Sequence, residues 1–369
     1  MILLAVRNLV TERTRFAFSA AGIGFAVFLI SVLIGLYQGW NEKVGGFVEH
    51  VNADGWVARQ GTTDFINAAS ILPSSMGADL AKRADVAQVE PMIVRPMAFK
   101  HNGTKFETHL IGYDIASGVG GPVKIVDGKG DPTGNQIVID EVLSQISGVG
   151  VGDKLTSNTE TFNVIGIASG GNFAFTQASF IDVKTAGTLL EMGDLTTFWL
   201  FKLKPGASFT KLQSEVTASS PNVTVFSSKE FASATRHRIL DNVVPIIVLI
   251  LGLALIVGIA ITSLTIYTAT VERQREFGVM KAIGFNNRDL YGLVLIQSIV
   301  TGLVGFVFGV LLTLIVSQFA DKLVATFIVL VRPIDILEVL AVTVFMAAAA
   351  SIVPARRVGA VDPAVAFKG

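Results

Sequence analysis

The sequence predicts a membrane α-helical protein with four transmembrane helices and a large extracytoplasmic α+β domain inserted between the first and second of them. Two observations carry that expectation. Four charge-free apolar stretches, Phe16–Tyr37, Val243–Thr270, Leu290–Ala320 and Val339–Ala355, surround one polar block at residues 38–242. With 51% hydrophobic and 16% charged residues over 369 positions and a mean hydropathy of +0.60, the chain is also too apolar for an ordinary soluble domain of its length, so lipid must solvate part of it. As helices the shortest stretch rises about 26 Å and the longest about 46 Å, against a hydrocarbon core of roughly 30 Å. The fourth borrows Ile334–Leu337 to complete its crossing.

Taken in order, residues 1–15 read as an amphipathic lead helix, with Leu3, Leu4, Val6 and Leu9 set against Arg7, Arg13 and Arg15. The first span, 16–37, is longer than a signal-peptide core and has no small-x-small cleavage site before polar sequence, so it is expected to be a retained anchor. The outer domain with its stalk follows at 38–242, then the second span at 243–270 and a connecting segment at 271–289. A third span at 290–318, an outer loop at 319–333, a fourth span at 334–355 and a tail at 356–369 complete the chain. Lys and Arg near the span ends number ten on the side of the termini and six on the other. This bias places both termini in the cytoplasm of a multi-pass plasma (inner) membrane protein.

Within the polar block the apolar residues come in short alternating runs. Ile93–Lys100, Thr108–Tyr113, Gln136–Asp140, Phe162–Ile167, Ser179–Val183 and Phe198–Leu203 read as strands, bounded by turn signals at Asn102-Gly103, Asp127-Gly128, Gly170-Gly171 and Pro205-Gly206. Met76–Ala84, Glu141–Ile146, Lys184–Met192 and Phe209–Ser219 have helical spacing. Ser227 or Ser228 can cap a helix, and Pro245 removes only one backbone donor, so one continuous helix is expected from about Lys229 to about Thr270. Gln38–His50 could form a companion stalk, weakened by Gly45-Gly46.

Several function classes lose support. Zero formal net charge removes a whole-molecule argument for nucleic acid, and the absence of cysteine removes disulfides, thiolate metal sites and cysteine nucleophiles. His50, His101, His109 and His237 form no metal-ligand spacing. No Ser/His/Asp, paired-carboxylate or HExxH arrangement is readable, so no enzymatic activity is expected of this chain by itself. No intramembrane acid or base suggests a proton relay. Gly305-x-x-x-Gly309 permits close helix approach, either within the chain or at a dimer seam. Gln297 and Gln318 are the polar side chains expected to be hydrogen-bonded in the third span.

The segment TVERQREFGVMKAIGFNNRDL, Thr270–Leu290, reads as a short amphipathic helix, with Phe277, Met280, Ile283 and Gly284 on one face. Its Arg273, Glu276, Ala282 and Gly284 resemble the R-x-x-E-x-x-x-x-x-A-x-G coupling pattern of the MacB/FtsX-type, or type VII mechanotransmission, ABC transporter permeases. The opening LLAVRNLVTERTRFAFSAAGIGFAV is similar to that family's lead helix and first span. The tail PARRVGAVDPAVAFKG resembles its closing motif through Pro354, Arg356, Arg357, Pro363 and Ala364, with Phe367 where Leu or Arg is more usual. NQIVIDEVLSQISGVGVGDKLTSNTETFNVIGIASGG is similar to its outer core, and the likeness leans toward the DevC and haem-exporter (HrtB) permeases.

What the resemblance implies is a permease homodimer working with two copies of a separate ABC ATPase and moving its outer domains by mechanotransmission. ATP and magnesium would belong to the partner, and no cofactor to this chain, which has no G-x-x-x-x-G-K-[ST] loop. Arg273, Glu276, Phe277, Met280, Ala282 and Gly284 would be the ATPase-coupling residues. Arg356 and Arg357 of the tail serve equally as positive-inside anchors or as ATPase contacts. The expected cargo is a hydrophobic or amphipathic small molecule such as haem, a lipid or an antibiotic. Tyr37, Glu230, Arg236 and His237, near the outer membrane boundary, are the candidate contacts to it, although a tyrosine there also suits an interfacial belt and a stalk carries charges in any case. The alternative is an FtsX-like signalling coupler that activates an extracytoplasmic partner without transport.

Overall fold

A computed structural model of the chain describes residues 13–67, 69–157, 160–320, 324 and 326–362. In chain order the elements are α1 (Arg13–His50), β1 (Gly55–Arg59), β2 (Leu72–Pro73), α2 (Ser74–Ala81), β3 (Val86–His101), β4 (Thr104–Tyr113), β5 (Lys124–Gly128) and β6 (Gln136–Asp140). There follow α3 (Glu141–Ser147), β7 (Lys154–Thr156), β8 (Thr161–Ser169), β9 (Ala178–Asp182), α4 (Val183–Leu189), β10 (Leu195–Thr196), β11 (Phe198–Leu203), α5 (Phe209–Ser219) and β12 (Val223–Ser227). The last are α6 (Ser228–Leu240), α7 (Val244–Glu272), α8 (Gln274–Ala282), α9 (Asn287–Ser317) and α10 (Pro333–Gly359). The chain divides into two compact units, a membrane unit of Met1–Gly39 with Val244–Gly369, and an outer unit of Trp40–Val243. The lead at 1–12, with Arg7, and the end of the tail, with Pro363 and Ala364, lie outside the described residues.

Among the described residues, four helices of the membrane unit are long and apolar enough to cross a bilayer. Lipid-facing rows such as Leu249, Leu253, Ile256 and Leu264 of α7 are more than half exposed, as expected where the surrounding solvent is hydrocarbon. The buried seam holds Ile23, Ala26, Val27, Ile30, Ala254, Val339 and Met346. Gly305 and Gly309 sit on α1, where an added Cβ would meet Ile23 Cβ at 2.8 Å and the Gly24 carbonyl oxygen at 2.5 Å respectively. The small-residue motif is thus an intrachain seam between the first and third spans. Among the described residues, a side-chain hydrogen bond from the third span to a neighbouring helix comes from Ser298 and not from Gln297 or Gln318. Ser298 Oγ donates to Ala347 O of α10 at 2.5 Å, while Gln318 stands just past α9 as its C-cap. A short hydroxyl reaches a neighbouring carbonyl without disturbing close packing.

In the outer unit one sheet runs in the order β12-β1-β11-β3-β4-β9-β6-β8-β5, with β7 bridging β3 and β8. Pairs β4–β9 and β6–β8 are parallel and the other pairs antiparallel. The 16-residue β3 belongs to both halves of the sheet, which is why no lobe boundary is visible in sequence. Where both faces are covered, as at β6 and β11, the strand reads as a near-continuous apolar run, whereas β8 alternates. Along FWLFKL, Phe198 and Leu200 enter the core cluster on one face, and Trp199 and Phe201 the cluster on the other. At β6, Val138 faces the first of these, while Ile137 and Ile139 join a third cluster beneath α3 and α4. The Asn102-Gly103 hairpin turn has φ +48° and +83°, the left-handed values its two-residue loop requires.

Two expectations about the stalks need correction. Helix α1 does not weaken at Gly45-Gly46 but continues to His50. Its Val44, Phe47 and Val48, and Val51 just past its end, at i, i+3, i+4 and i+7, are buried in the outer domain, with Phe47 5.3 Å from Phe65 and 5.9 Å from Phe180. Burying that stripe outweighs the roughly 1 kcal/mol that each glycine costs a helix. On the returning strand of chain the expected unbroken helix is two helices, α6 and α7, separated at Asp241–Val243. Pro245 has no N–H for the carbonyl four residues back and its ring crowds that carbonyl, so the helix restarts with proline in its first turn. Asn242 Nδ2 donates to Arg238 O (3.1 Å) and Val243 N to Leu240 O (2.8 Å), satisfying carbonyls freed by the break.

Candidate functional site

The segment between the second and third spans is built as a clamped helix. After Arg273, α8 buries Phe277, which is 4% exposed, in a cluster with Ile266, Leu290, Leu293, Val294 and Val358. Met280 and Phe285 pack on the same cluster. The helix ends in a Schellman turn, with Phe285 N donating to Met280 O (3.0 Å) and Gly284 N to Lys281 O (3.1 Å). Gly284 has φ +104°, a conformation in which any Cβ is strained, and this is the physical reason for glycine at that motif position. Asn286 and Asp289 then form the reciprocal cap that opens α9, Asn286 N donating to Asp289 Oδ2 at 3.0 Å.

Lys281 supplies a second clamp. Its Nζ donates to Gly359 O (2.6 Å) and Val361 O (2.9 Å), at the C-terminal end of α10. An ammonium there satisfies carbonyls that have no helical partner and complements the negative end of the helix dipole. Helix α8 and the end of the fourth span are therefore joined by a charged contact as well as by packing. Nothing in the local sequence marks Lys281 for this role; only the fold shows which carbonyls it reaches.

The outward face of α8 carries Glu276, Val279 and Ile283, with side chain or residue exposures of 62%, 45% and 70%. Ile283 does not share the Phe277 face, as the sequence reading placed it. Six residues at about 100° each put it roughly 120° around the helix from Phe277 and beside Val279 and Glu276. Ala282 is exposed as well. Arg273 Nη1 lies 3.9 Å from Glu276 Oε2, holding that carboxylate at the helix start. Arg356 and Arg357 lie in the last turn of α10, both exposed, and Pro354 is buried inside the same helix.

Among the outer candidates, two side chains have structural partners. Arg236 makes a two-pronged pair with Glu49 (Nη1–Oε1 3.0 Å, Nη2–Oε2 2.6 Å) and donates Nε–H to Asn41 O (2.9 Å). It ties α6 to the end of α1, and an added Cβ at Gly45 would lie 2.5 Å from its Nε, so Gly45 is where the guanidinium lies against the helix. Hydrogen-bonded to Arg236, the Glu49 carboxyl is held below the usual carboxylate range. Glu230 closes a capping box, accepting from Ser227 N (2.9 Å) while its own N–H donates to Ser227 Oγ (3.2 Å). The Ser-x-x-Glu spacing of Ser227 and Glu230 was a legible signal for this role. His237 is exposed on α6, and Tyr37 is half-buried on α1.

Family comparison agrees with this architecture. Residues 16–219 match the MacB-like periplasmic core domain, and residues 248–363 match the FtsX-like permease C-terminal domain. An uncharacterized ABC transporter permease of Mycobacterium tuberculosis is 24% identical over the whole of both chains. The putative hemin transport system permease protein HrtB of Staphylococcus epidermidis is 22% identical over 80% of this chain and 81% of its own. The macrolide export ATP-binding/permease protein MacB of Acinetobacter baylyi is 30% identical over 35% of this chain and 19% of its own. Among solved structures, the periplasmic region of MacB from Actinobacillus actinomycetemcomitans aligns with 48% of this chain and 90% of its own, at 15% identity and a TM-score of 0.39. With one family model spanning more than half of its length and a second covering the remaining spans, the chain belongs to the MacB/FtsX-type ABC transporter permeases.

Proposed function

We propose that this permease, as a homodimer in the plasma membrane with both termini in the cytoplasm, couples ATP hydrolysis by two copies of an ABC ATPase to mechanical work on its outer domains. The work is export or extraction of a hydrophobic or amphipathic compound, such as haem, a lipid or an antibiotic, from the outer side of the membrane. ATP and magnesium are held by the ATPase and not by this chain.

The observation that carries the reading is the two-faced coupling helix. One face is fixed to the bundle by Phe277 and Lys281, and the other presents Glu276, Val279 and Ile283 as a stripe whose two aliphatic members are left exposed among the described residues. Motion imposed on that stripe is passed to the ends of the second, third and fourth spans, because the same segment is packed on Ile266, Leu290 and Val358. Of the two chain connections to the outer domain, α1 is the unbroken one. That helix, and not the interrupted α6–α7 path, is the stiff element suited to transmit force.

The test is co-purification of the ATPase with Ile283→Asp. The side chain is exposed, so insertion and folding are expected to be intact. Losing burial of one isoleucine, roughly 1.5–3 kcal/mol, weakens assembly about tenfold or more. An undiminished yield of ATPase would sink the coupling assignment. Substrate class is read from ATPase stimulation of the assembled complex in nanodiscs by haem, lipids or macrolide-like compounds. Stimulation by a cell-wall hydrolase or its adaptor, and by none of these ligands, replaces transport with the signalling role.

A further inference from the structure

Between β8 and β9 the chain turns through a tight loop, Gly170–Gln177, whose two phenylalanines have opposite environments. Phe173 is fully buried, 5.8 Å from Phe47 and 5.6 Å from Phe65. Phe175 is 56% exposed, and its ring meets Trp40 of α1 at 4.9 Å. The loop is held firmly. Gly171 N donates to the buried Asp140 Oδ2 (2.9 Å), Ala174 N to Asn172 Oδ1 (3.1 Å), and Phe173 N to Thr176 O (2.8 Å). Ala174 has φ +69°, which a residue with a Cβ keeps only where its surroundings over-determine it. A rigid, strained turn therefore presents a large apolar ring at its tip.

Trp40, which that ring meets, stands on α1 just past the charge-free run. The charge-free run ends at Tyr37, and Trp40 follows on the same unbroken helix after a rise of about 4.5 Å. Near that end of the span, Leu330 N donates to Gly35 O (3.0 Å), so non-helical backbone reaches the helix there. Irregular backbone of this kind is not left facing hydrocarbon, whereas tyrosine and tryptophan favour the headgroup region. The end of the charge-free run at Tyr37 and a tryptophan one turn on are the residues such a boundary favours, and Phe175 is in ring contact with Trp40.

We propose that the Gly170–Gln177 loop is a lipid-contacting tip of the outer domain, with Phe175 and Trp40 seated together at the headgroup–acyl boundary of the outer leaflet. This rests on the membrane embedding of α1 and is independent of whether the permease transports or signals.

The chain has no cysteine, so Phe175→Cys accepts a single nitroxide label. The labelled permease–ATPase complex is placed in nanodiscs of phosphatidylcholine and phosphatidylglycerol, and collision rates with oxygen and with a water-soluble nickel chelate are compared. Leu264→Cys, at a residue 65% exposed on α7, supplies the lipid reference. Ile146→Cys, at a residue 55% exposed on α3, supplies an equally exposed outer-domain reference. The expected oxygen-to-nickel ratio at position 175 is near that of Leu264→Cys and several-fold above that of Ile146→Cys. A ratio matching Ile146→Cys, meaning a water-exposed tip, overturns the proposal. So does low access to both reagents, which would mean that a second copy of the chain covers the loop.

Discussion

Arg236 separates a structural from a ligand-binding reading of the stalk, and Arg236→Met is the perturbation that decides between them. The variant keeps the aliphatic stem but removes the two contacts to Glu49 and the Nε–H bond to Asn41 O. The side chains of Arg236 and Glu49 are 21% and 31% exposed, so solvent screening reduces the pair to the upper part of the surface range, about 1 kcal/mol. A charged donor on a backbone carbonyl adds about 1 kcal/mol more after discounting for the same exposure. A total of about 2 kcal/mol in a domain of this size lowers its melting temperature by about 4–8 °C. The assay is thermal melting of the purified permease followed by tryptophan fluorescence, with Glu49→Gln and the double variant completing a cycle. The pH dependence has a definite sign. The folded Glu49 pKa is depressed, so its contribution is present above the unfolded value near 4.5 and is lost as pH falls through the lower folded value. A full-strength melt for Arg236→Met, together with loss of ATPase stimulation by haem or another amphipath, would refute the structural assignment and restore Arg236 as a ligand contact.

Three other perturbations test the framework. Gly309→Val forces a Cβ to within 2.5 Å of the Gly24 carbonyl oxygen and 2.7 Å of Val27, and overpacking of this kind costs about 1–3 kcal/mol, read as a lower melting temperature of the helical bundle while monomer–dimer balance in detergent is unchanged. Gly284→Ala strains the φ +104° turn by about 1 kcal/mol, whereas Gly284→Asn is tolerated better; equal stability of all three forms would remove the Schellman account. Burial pushes the Asp140 carboxyl up to about 7, against hydrogen bonds from Val142 N and Gly171 N that favour its anion. Because the folded value lies above the unfolded one, this group stabilises most below pH 3.8 and loses that contribution as pH rises through about 7, a slope in the melting curve that Asp140→Asn should abolish.

The legible part of the fold follows from local constraints. Strands β6 and β11 and helix α5 coincide with the residues their apolar patterns indicate, because two buried faces or a single amphipathic stripe write themselves into five to eleven consecutive positions. Strands β1 and β12 were not read. Gly55–Arg59 pairs with Val223–Ser227, more than 160 residues away, and neither five-residue run is distinctive without its partner. The face of Ile283 was available from helical geometry and was misassigned. The destinations of Lys281, Glu49 and Arg236 had no local signal, since each bond joins segments far apart in the chain.

By itself the sequence determined that lipid must solvate four helices, that an α+β domain separates the first from the rest, and that no G-x-x-x-x-G-K-[ST] loop occurs in it. These follow from the length and charge of contiguous segments, because a bilayer requires each crossing segment to satisfy its own backbone. Only the tertiary structure decided that α1 is the unbroken connection and α6–α7 the interrupted one, that Lys281 bonds α8 to the end of α10, and that Phe175 reaches Trp40. Those features are set by which distant surfaces bury each other's apolar area, and that choice is made by packing and not by any one stretch of chain.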